Sequence, residues 1–231
     1  TDVLIIGGGM AGLLCTYLLK QAGVDCLLIE ADRICCGVTR NTTAKLTVQH
    51  GLIYDKMLRR FGSEKTRMYL EANEAALAQY RRLCQTIDCD FEEKDSFVYS
   101  IDQPKKLEQE LEALHRIGFR AEYADQLPLP FDTAGAVRVH GQAQFHPLKF
   151  AAEIARGLPI REQTTARAFD GHTVVTNRGG IAASNIIVTT HFPMLNKHGA
   201  YFLKLYQHRS YVLGLERAPD VHGMYVDEAK G

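Results

Sequence analysis

The sequence predicts an α/β protein. A Rossmann-like dinucleotide domain opens the chain, is interrupted by an inserted α+β block, and then resumes. Three observations carry this. Residues 2–30 hold an apolar strand, a glycine-rich turn, a helix and a second apolar strand, which together make one βαβ unit. Residues 89–145 depart from that pattern, with a charged helix and several short strands. Residues 185–190, Asn-Ile-Ile-Val-Thr-Thr, return to the continuous apolar run of a buried parallel strand.

Taken in order, residues 2–6 have the length and composition of a buried strand. The turn after them, Gly7-Gly-Gly-Met-Ala-Gly12, fits G-x-G-x-x-G at Gly7, Gly9 and Gly12. Gly7 permits the tight turn, Gly9 lets the backbone approach a pyrophosphate, and Gly12 lets the helix pack close on the strand. Residues 13–22 follow with helical apolar spacing and stop at Gly23. The helix start offers free N–H groups and a partial positive charge to phosphates. Residues 25–29 form the second strand. Glu30 ends it, 18 residues beyond Gly12, near the roughly twenty expected of an acid that accepts from ribose hydroxyls. Such an acid disfavours a 2′-phosphate, and NADP with it. The next stretch, through Gly37, Thr39, Asn41, Thr42, Thr43 and Ala44, is rich in small hydroxyl and amide side chains and has no period. It is long for a plain loop and suits contact with a cofactor. The vicinal Cys35 and Cys36 read as small packing residues rather than a redox site.

Residues 63–86 read as an amphipathic helix with Ser63 as N-cap and an apolar side of Tyr69, Leu70, Ala76, Leu77, Tyr80 and Leu83. Residues 97–101 read as a strand, and 103–116 as a charged helix closed by Gly118. Residues 134–139 and 142–145 read as two short strands. Pro147 opens a helix to about Ala155 at its favoured first position, and 158–161 reads as a further parallel strand. Residues 164–183 give three short strands with turns at Asp170-Gly171 and Arg178-Gly179-Gly180. Residues 206–216 and 224–227 read as strands of the second domain. The expected domains are therefore 1–88 and 146–195 for the dinucleotide fold, with 89–145 and 196–231 for the second.

Composition narrows the function. Lys+Arg and Asp+Glu balance at 27 each, which argues against a broad grip on nucleic acid. No apolar run reaches the roughly 18 residues of a membrane span, and no signal peptide precedes the first strand. The six cysteines form no C-x-x-C and read as reduced thiols of a cytoplasmic protein, with no metal site. The first residue is Thr, so a native start is expected to be missing.

These residues resemble the D-amino-acid oxidase-like superfamily of FAD-dependent oxidoreductases, near its bacterial gamma-glutamylputrescine oxidoreductase-like and Rieske-fused branch. The carriers are the 3–12 run, the loop from Gly37 to Ala44, Gln144-Phe-His-Pro147 and Ile186-Ile-Val-Thr-Thr190. The resemblance implies a glutathione-reductase-type FAD domain with an inserted substrate domain. It implies oxidation of a C–N bond of a small amine or amino acid by hydride transfer to flavin. Pyrophosphate contacts then fall on Gly7, Gly9, Met10, Ala11 and Gly12, and the ribose acid on Glu30. The flavin-side loop falls on Thr39 and Asn41 to Ala44, and a main-chain adenine contact on Ala166. The family commonly ends the strand at 186–190 in Ala-Thr-Gly, where this chain has Thr189-Thr190-His191. Substrate-side candidates are His50, Arg209 and Tyr211, with Arg209 suited to clamping a carboxylate. Family members continue into a segment that closes over the flavin. The chain lacks that segment and is expected to be C-terminally truncated, weak in FAD retention, and covered by homo-oligomerisation. Two rival readings are an NAD-dependent Rossmann dehydrogenase and an inactive flavin-fold fragment.

Overall fold

The computed structural model describes residues 1–194 and 199–229. In chain order the elements are β1 (Val3–Ile6), α1 (Met10–Gln21), β2 (Cys26–Ile29), β3 (Lys45–Leu46), α2 (Tyr54–Cys84), β4 (Glu92–Ser100), α3 (Pro104–Arg116), β5 (Glu122–Ala124), β6 (Gly135–Gln144) and α4 (Pro147–Ala155). Then come β7 (Ile160–Arg161), β8 (Ala166–Asp170), β9 (Thr173–Thr176), β10 (Gly179–Ala182), β11 (Asn185–Val188) and β12 (Gly223–Asp227). A 3-10 turn spans Val38–Asn41. Among the described residues, no helix is long and apolar enough to cross a membrane.

The chain divides into two compact units. The first holds Thr1–Thr43 and the described part of Pro147–Gly214; the second holds Ala44–His146 and the described part of Leu215–Gly231. The expected boundary at 88/89 thus falls inside the second unit, which begins at Ala44, and the one expected at 195/196 lies outside the described residues.

In the first unit, four parallel strands form a sheet in the order β11-β1-β2-β7. Leu4, Ile6 and Ile29 face β8–β10, an antiparallel meander, and share a core with Val174 and Ala183. Ile5 and Leu28 alternate with them and are fully buried, and α1 packs on β1, β2 and α4. Period-2 burial on both faces is what a short, wholly apolar strand encodes. The reading of 185–190 as a buried strand needs correction. β11 ends at Val188 and lies at the sheet edge, so Asn185 and Val188 are exposed; an edge strand has a neighbour on one side only.

The second unit is a five-stranded sheet, with β12-β4-β6-β3 in order and β5 also paired to β6. Helices α2 and α3 cover it through Leu70, Leu77, Leu107 and Leu114, which pack with Val137 and Val139. The helix expected over 63–86 forms as the second segment of α2, after a break at Gly62 (φ 78°) and ending at Cys84; the first segment, 54–61, was not expected. Ala76, on the apolar side expected of 63–86, is exposed. The two strands expected over 134–145 are one strand, β6, with a bulge. Its pairing steps from Ser96–Val139 to Lys94–Gln142, so His140 and Gly141 stand opposite Asp95 alone. The strand expected over 206–216 does not form, and those residues are exposed. Alternation makes a strand only where another strand supplies hydrogen-bond partners, and none of the described strands pairs with it. Gly223–Asp227 does form a strand, parallel to β4.

Candidate functional site

The candidate site lies in the first unit, at the carboxyl ends of the parallel strands, where β1 turns into α1. Ligands of open α/β sheets bind outside those ends. Gly7 sits at φ 114°, and a Cβ there would meet the Thr189 carbonyl oxygen at 2.8 Å. Gly12 approaches closer still. Its Cβ would lie 1.9 Å from the Gly7 carbonyl oxygen and 2.8 Å from Thr189 Oγ1. Gly9 is the N-cap of α1 and carries no side chain to cap it, so the first-turn N–H groups must find partners outside the helix.

Four side chains hold this turn. Glu30 Oε2 accepts the Gly8 N–H at 2.6 Å, and its Oε1 accepts the Asp32 N–H at 2.9 Å. Cys35 donates its N–H to the Gly8 carbonyl at 2.9 Å and its thiol to the same oxygen at 3.8 Å. Burial, then the neighbouring Cys36 and Glu30, pushes that thiol up to about 11. Thr39 Oγ1 accepts the Met10 N–H at 3.1 Å. The Thr189 hydroxyl reaches the Ile6 and Gly7 carbonyl oxygens at 3.0 and 2.9 Å.

Residues after β7 run beside those after β2. Glu30 and Gln163 donate N–H groups to Arg161 and Asp32 carbonyls at 3.0 Å each, and the Thr164 N–H reaches the Glu30 carbonyl at 2.8 Å. The Ile34 N–H reaches Glu162 Oε1 at 2.8 Å. This pairing sets the start of β8, with the half-buried Ala166, beyond Glu30. β8 is an edge strand, so part of its main chain is unused by the sheet.

The structure thus brings Gly7, Gly9, Met10, Gly12, Glu30 and Thr39 together, with the exposed Ala11 in the same helical turn. Asn41 folds back, donating to the Gly37 carbonyl at 3.1 Å, while Thr42 and Thr43 are exposed beyond the 3-10 turn. Ala44 and His50 belong to the second unit. There His50 is exposed, 3.3 Å from Asn73 Oδ1 and edge-on to Tyr69. Arg209 and Tyr211 lie in the exposed 205–214 segment, outside any helix or strand. Sequence reasoning missed Thr189 and the grip of Cys35. Thr189 carried one signal, a hydroxyl where the family usually has Ala; Cys35 carried none beyond its small size.

The cradle fits a pyrophosphate-bearing cofactor. Backbone occupies every place a Cβ would take at Gly7 and Gly12. Each Glu30 carboxylate oxygen accepts one N–H and keeps a lone pair for a ribose hydroxyl.

Comparison with known proteins agrees with this geometry. Residues 2–229 match the family model "DAO: FAD dependent oxidoreductase". YhfW of Bacillus subtilis, named for a Rieske 2Fe-2S iron-sulfur protein, is 34% identical over 239 residues, covering 97% of this chain and 47% of that protein. Gamma-glutamylputrescine oxidoreductase of Escherichia coli is 29% identical over 206 residues, covering 81% of this chain and 48% of that protein. The chain therefore spans about half the length of the curated relatives it matches. Among solved structures, glycine oxidase from Geobacillus kaustophilus superposes with a TM-score of 0.66 at 20% identity, over 82% of this chain and 55% of that one. L-proline dehydrogenase from P. horikoshii gives 0.69 at 16% identity, over 82% and 52%. With the match running almost end to end, the chain belongs to the DAO family of FAD-dependent oxidoreductases.

Proposed function

We propose that the first unit binds FAD and that the protein oxidises a C–N bond of a small amine or amino acid. One observation carries the cofactor reading: backbone closes Gly7 and Gly12 to a Cβ in the turn after β1, and Glu30, just past the neighbouring β2, bonds that turn at Gly8. The Gly9, Met10, Ala11 and Gly12 backbone would hold the pyrophosphate, with the α1 N-terminus opposing its charge. Glu30 would accept from the ribose hydroxyls, the main chain at Ala166 would face adenine, and Gly37, Thr39 and Asn41 to Thr43 would line the flavin side. When bound, FAD supplies a two-electron acceptor for the C–H beside the substrate nitrogen. The substrate class is supported by the relative named gamma-glutamylputrescine oxidoreductase and is part of this proposal, as is a cytoplasmic location. His50, Arg209 and Tyr211 are not proposed as catalytic. All three are exposed, and the visible partners of His50 are Asn73 and Tyr69.

The test is a visible absorption spectrum of the purified protein, repeated after addition of FAD and gel filtration. Retained flavin bands support the cofactor reading, and a protein that stays colourless defeats it for this chain. Turnover of glycine, sarcosine or a putrescine derivative by the loaded protein supports the substrate class, while flavin retention with no turnover of any amine or amino acid defeats that part alone.

A further inference from the structure

The peptide unit joining Gly7 to Gly8 is held at both ends. Its N–H, on Gly8, donates to Glu30 Oε2 at 2.6 Å. Its carbonyl, on Gly7, lies 2.9 Å from the Thr189 hydroxyl. β1 and β11 pair in register as far as Ile6 and Val188, and the Thr189 N–H still reaches the Ile6 carbonyl at 2.8 Å. Beyond that the strands part: the Gly7 N–H turns to β2 and reaches the Ile29 carbonyl at 2.9 Å, while the Gly7 carbonyl takes the Thr189 hydroxyl. Its proton is shared with the Ile6 carbonyl at 3.0 Å.

We propose that Thr189 is a positioning residue for dinucleotide binding: it fixes the plane of the Gly7–Gly8 peptide and, through that peptide, the Glu30 carboxylate. This rests on the cofactor reading above. The chain of action is short. If the peptide rotates, the Gly8 N–H leaves Glu30 Oε2, and the carboxylate loses one of the two backbone donors that orient it. Gly12 gains from the same contact, because the Gly7 oxygen occupies the place its Cβ would take. Alanine or valine at 189 cannot make this bond, while serine keeps it.

Binding of FAD and of ADP-ribose is measured for the wild type, Thr189→Ala, Thr189→Ser, Glu30→Gln and the double variant T189A/E30Q. Flavin fluorescence reports FAD, and calorimetry reports ADP-ribose. T189A is expected to weaken both ligands about fivefold, the worth of one hydrogen bond, and T189S to stay near wild type. In the E30Q background T189A should cost less than it does alone, because the path from 189 to the ligand runs through the carboxylate. A purely structural role would lower the melting temperature without this coupling. Equal binding by T189A and wild type, failure of serine to rescue, or strict additivity with E30Q would each overturn the proposal while leaving the cofactor reading intact. A wild type that binds neither ligand overturns both. If T189A does not fold, Thr189→Val replaces it in the cycle, having the same shape and no donor.

Discussion

At Gly12 a single methyl group decides whether α1 can pack on the turn. The Cβ would sit 1.9 Å from a backbone oxygen, and backbone cannot swing aside as a flexible side chain can. Gly12→Ala should therefore cost stability in the upper part of the roughly 1–3 kcal/mol range for overpacking and abolish retention of FAD on gel filtration. Thermal melting and an absorption spectrum check both. The thiols make a second case. The Cys84 and Cys89 sulfurs lie 3.5 Å apart, and burial, then the contact with Cys89, pushes the Cys84 thiol up to about 12. Iodoacetamide at neutral pH should therefore leave Cys84 unlabelled in the native protein and label it on unfolding, as mass spectrometry of its peptide would reveal; the thiolate is the nucleophile. The gathering of Gly7, Gly9, Gly12 and Glu30 at one turn was legible because their spacing within one βαβ unit sets it. Thr189 was not, because its partners lie more than 180 residues away and local pattern carries no record of them.

Elements were legible where their signals are local. Pro147 marks the start of α4, and the alternation in 164–183 marks β8–β10. The first segment of α2, before the break at Gly62, was missed for a physical reason: its N-cap, Ile53, offers no side-chain cap. The cap comes from α3. Glu110, 1% exposed, accepts the Tyr54 N–H at 2.8 Å and the Asp55 N–H at 2.9 Å. Glu110→Ala should cost about 2–3 kcal/mol, since it orphans two buried donors that now bond a charged group. Burial pushes the carboxyl above its ordinary 4.5, outweighing the downward pull of the Asp55, Tyr54 and Ile53 N–H groups. A raised acid holds its proton more tightly folded than unfolded. Its contribution is thus complete below the unfolded value and is lost as pH rises through the folded one. Wild type should accordingly lose stability relative to Glu110→Gln as pH climbs from 4.5 upward, read from urea midpoints; a constant difference would refute it. The bulge in β6 was equally hidden. It is held by Asp95, which accepts from Arg138 Nη2 at 2.6 Å and from the Gly141 N–H at 3.3 Å, and by Arg81, which donates to the Gly141 carbonyl. Sequence alternation breaks at His140-Gly141, and a break reads as two strands unless the partner strand is known.

Across the whole molecule, charge balances, with 27 basic and 27 acidic residues, so no net repulsion keeps copies apart. The 201–215 stretch then matters. Leu203, Tyr206, Tyr211, Leu213 and Leu215 are each more than three-quarters exposed, with Phe202, Leu205 and Val212 beside them. The alternation in 206–216 was legible, but the strand it suggests needs a partner that none of the described strands provides. Relatives are about twice as long as this chain, so pattern alone could not reveal where those side chains would be covered. Exposed apolar residues gathered in one stretch of chain drive association, because burying each large side chain is worth about 1.5–3 kcal/mol at best. The chain should therefore self-associate with rising concentration in sedimentation velocity, and more strongly at high salt if apolar burial drives it. Replacing Leu203, Leu213 and Leu215 together by Ser should shift the boundary toward monomer. Because those three side chains are exposed, the melting temperature and any FAD retention should stay put. Association that persists in the triple variant would place the contact elsewhere on the chain, and a wild type that remains monomeric would mean that the 201–215 stretch, though exposed, is not self-complementary.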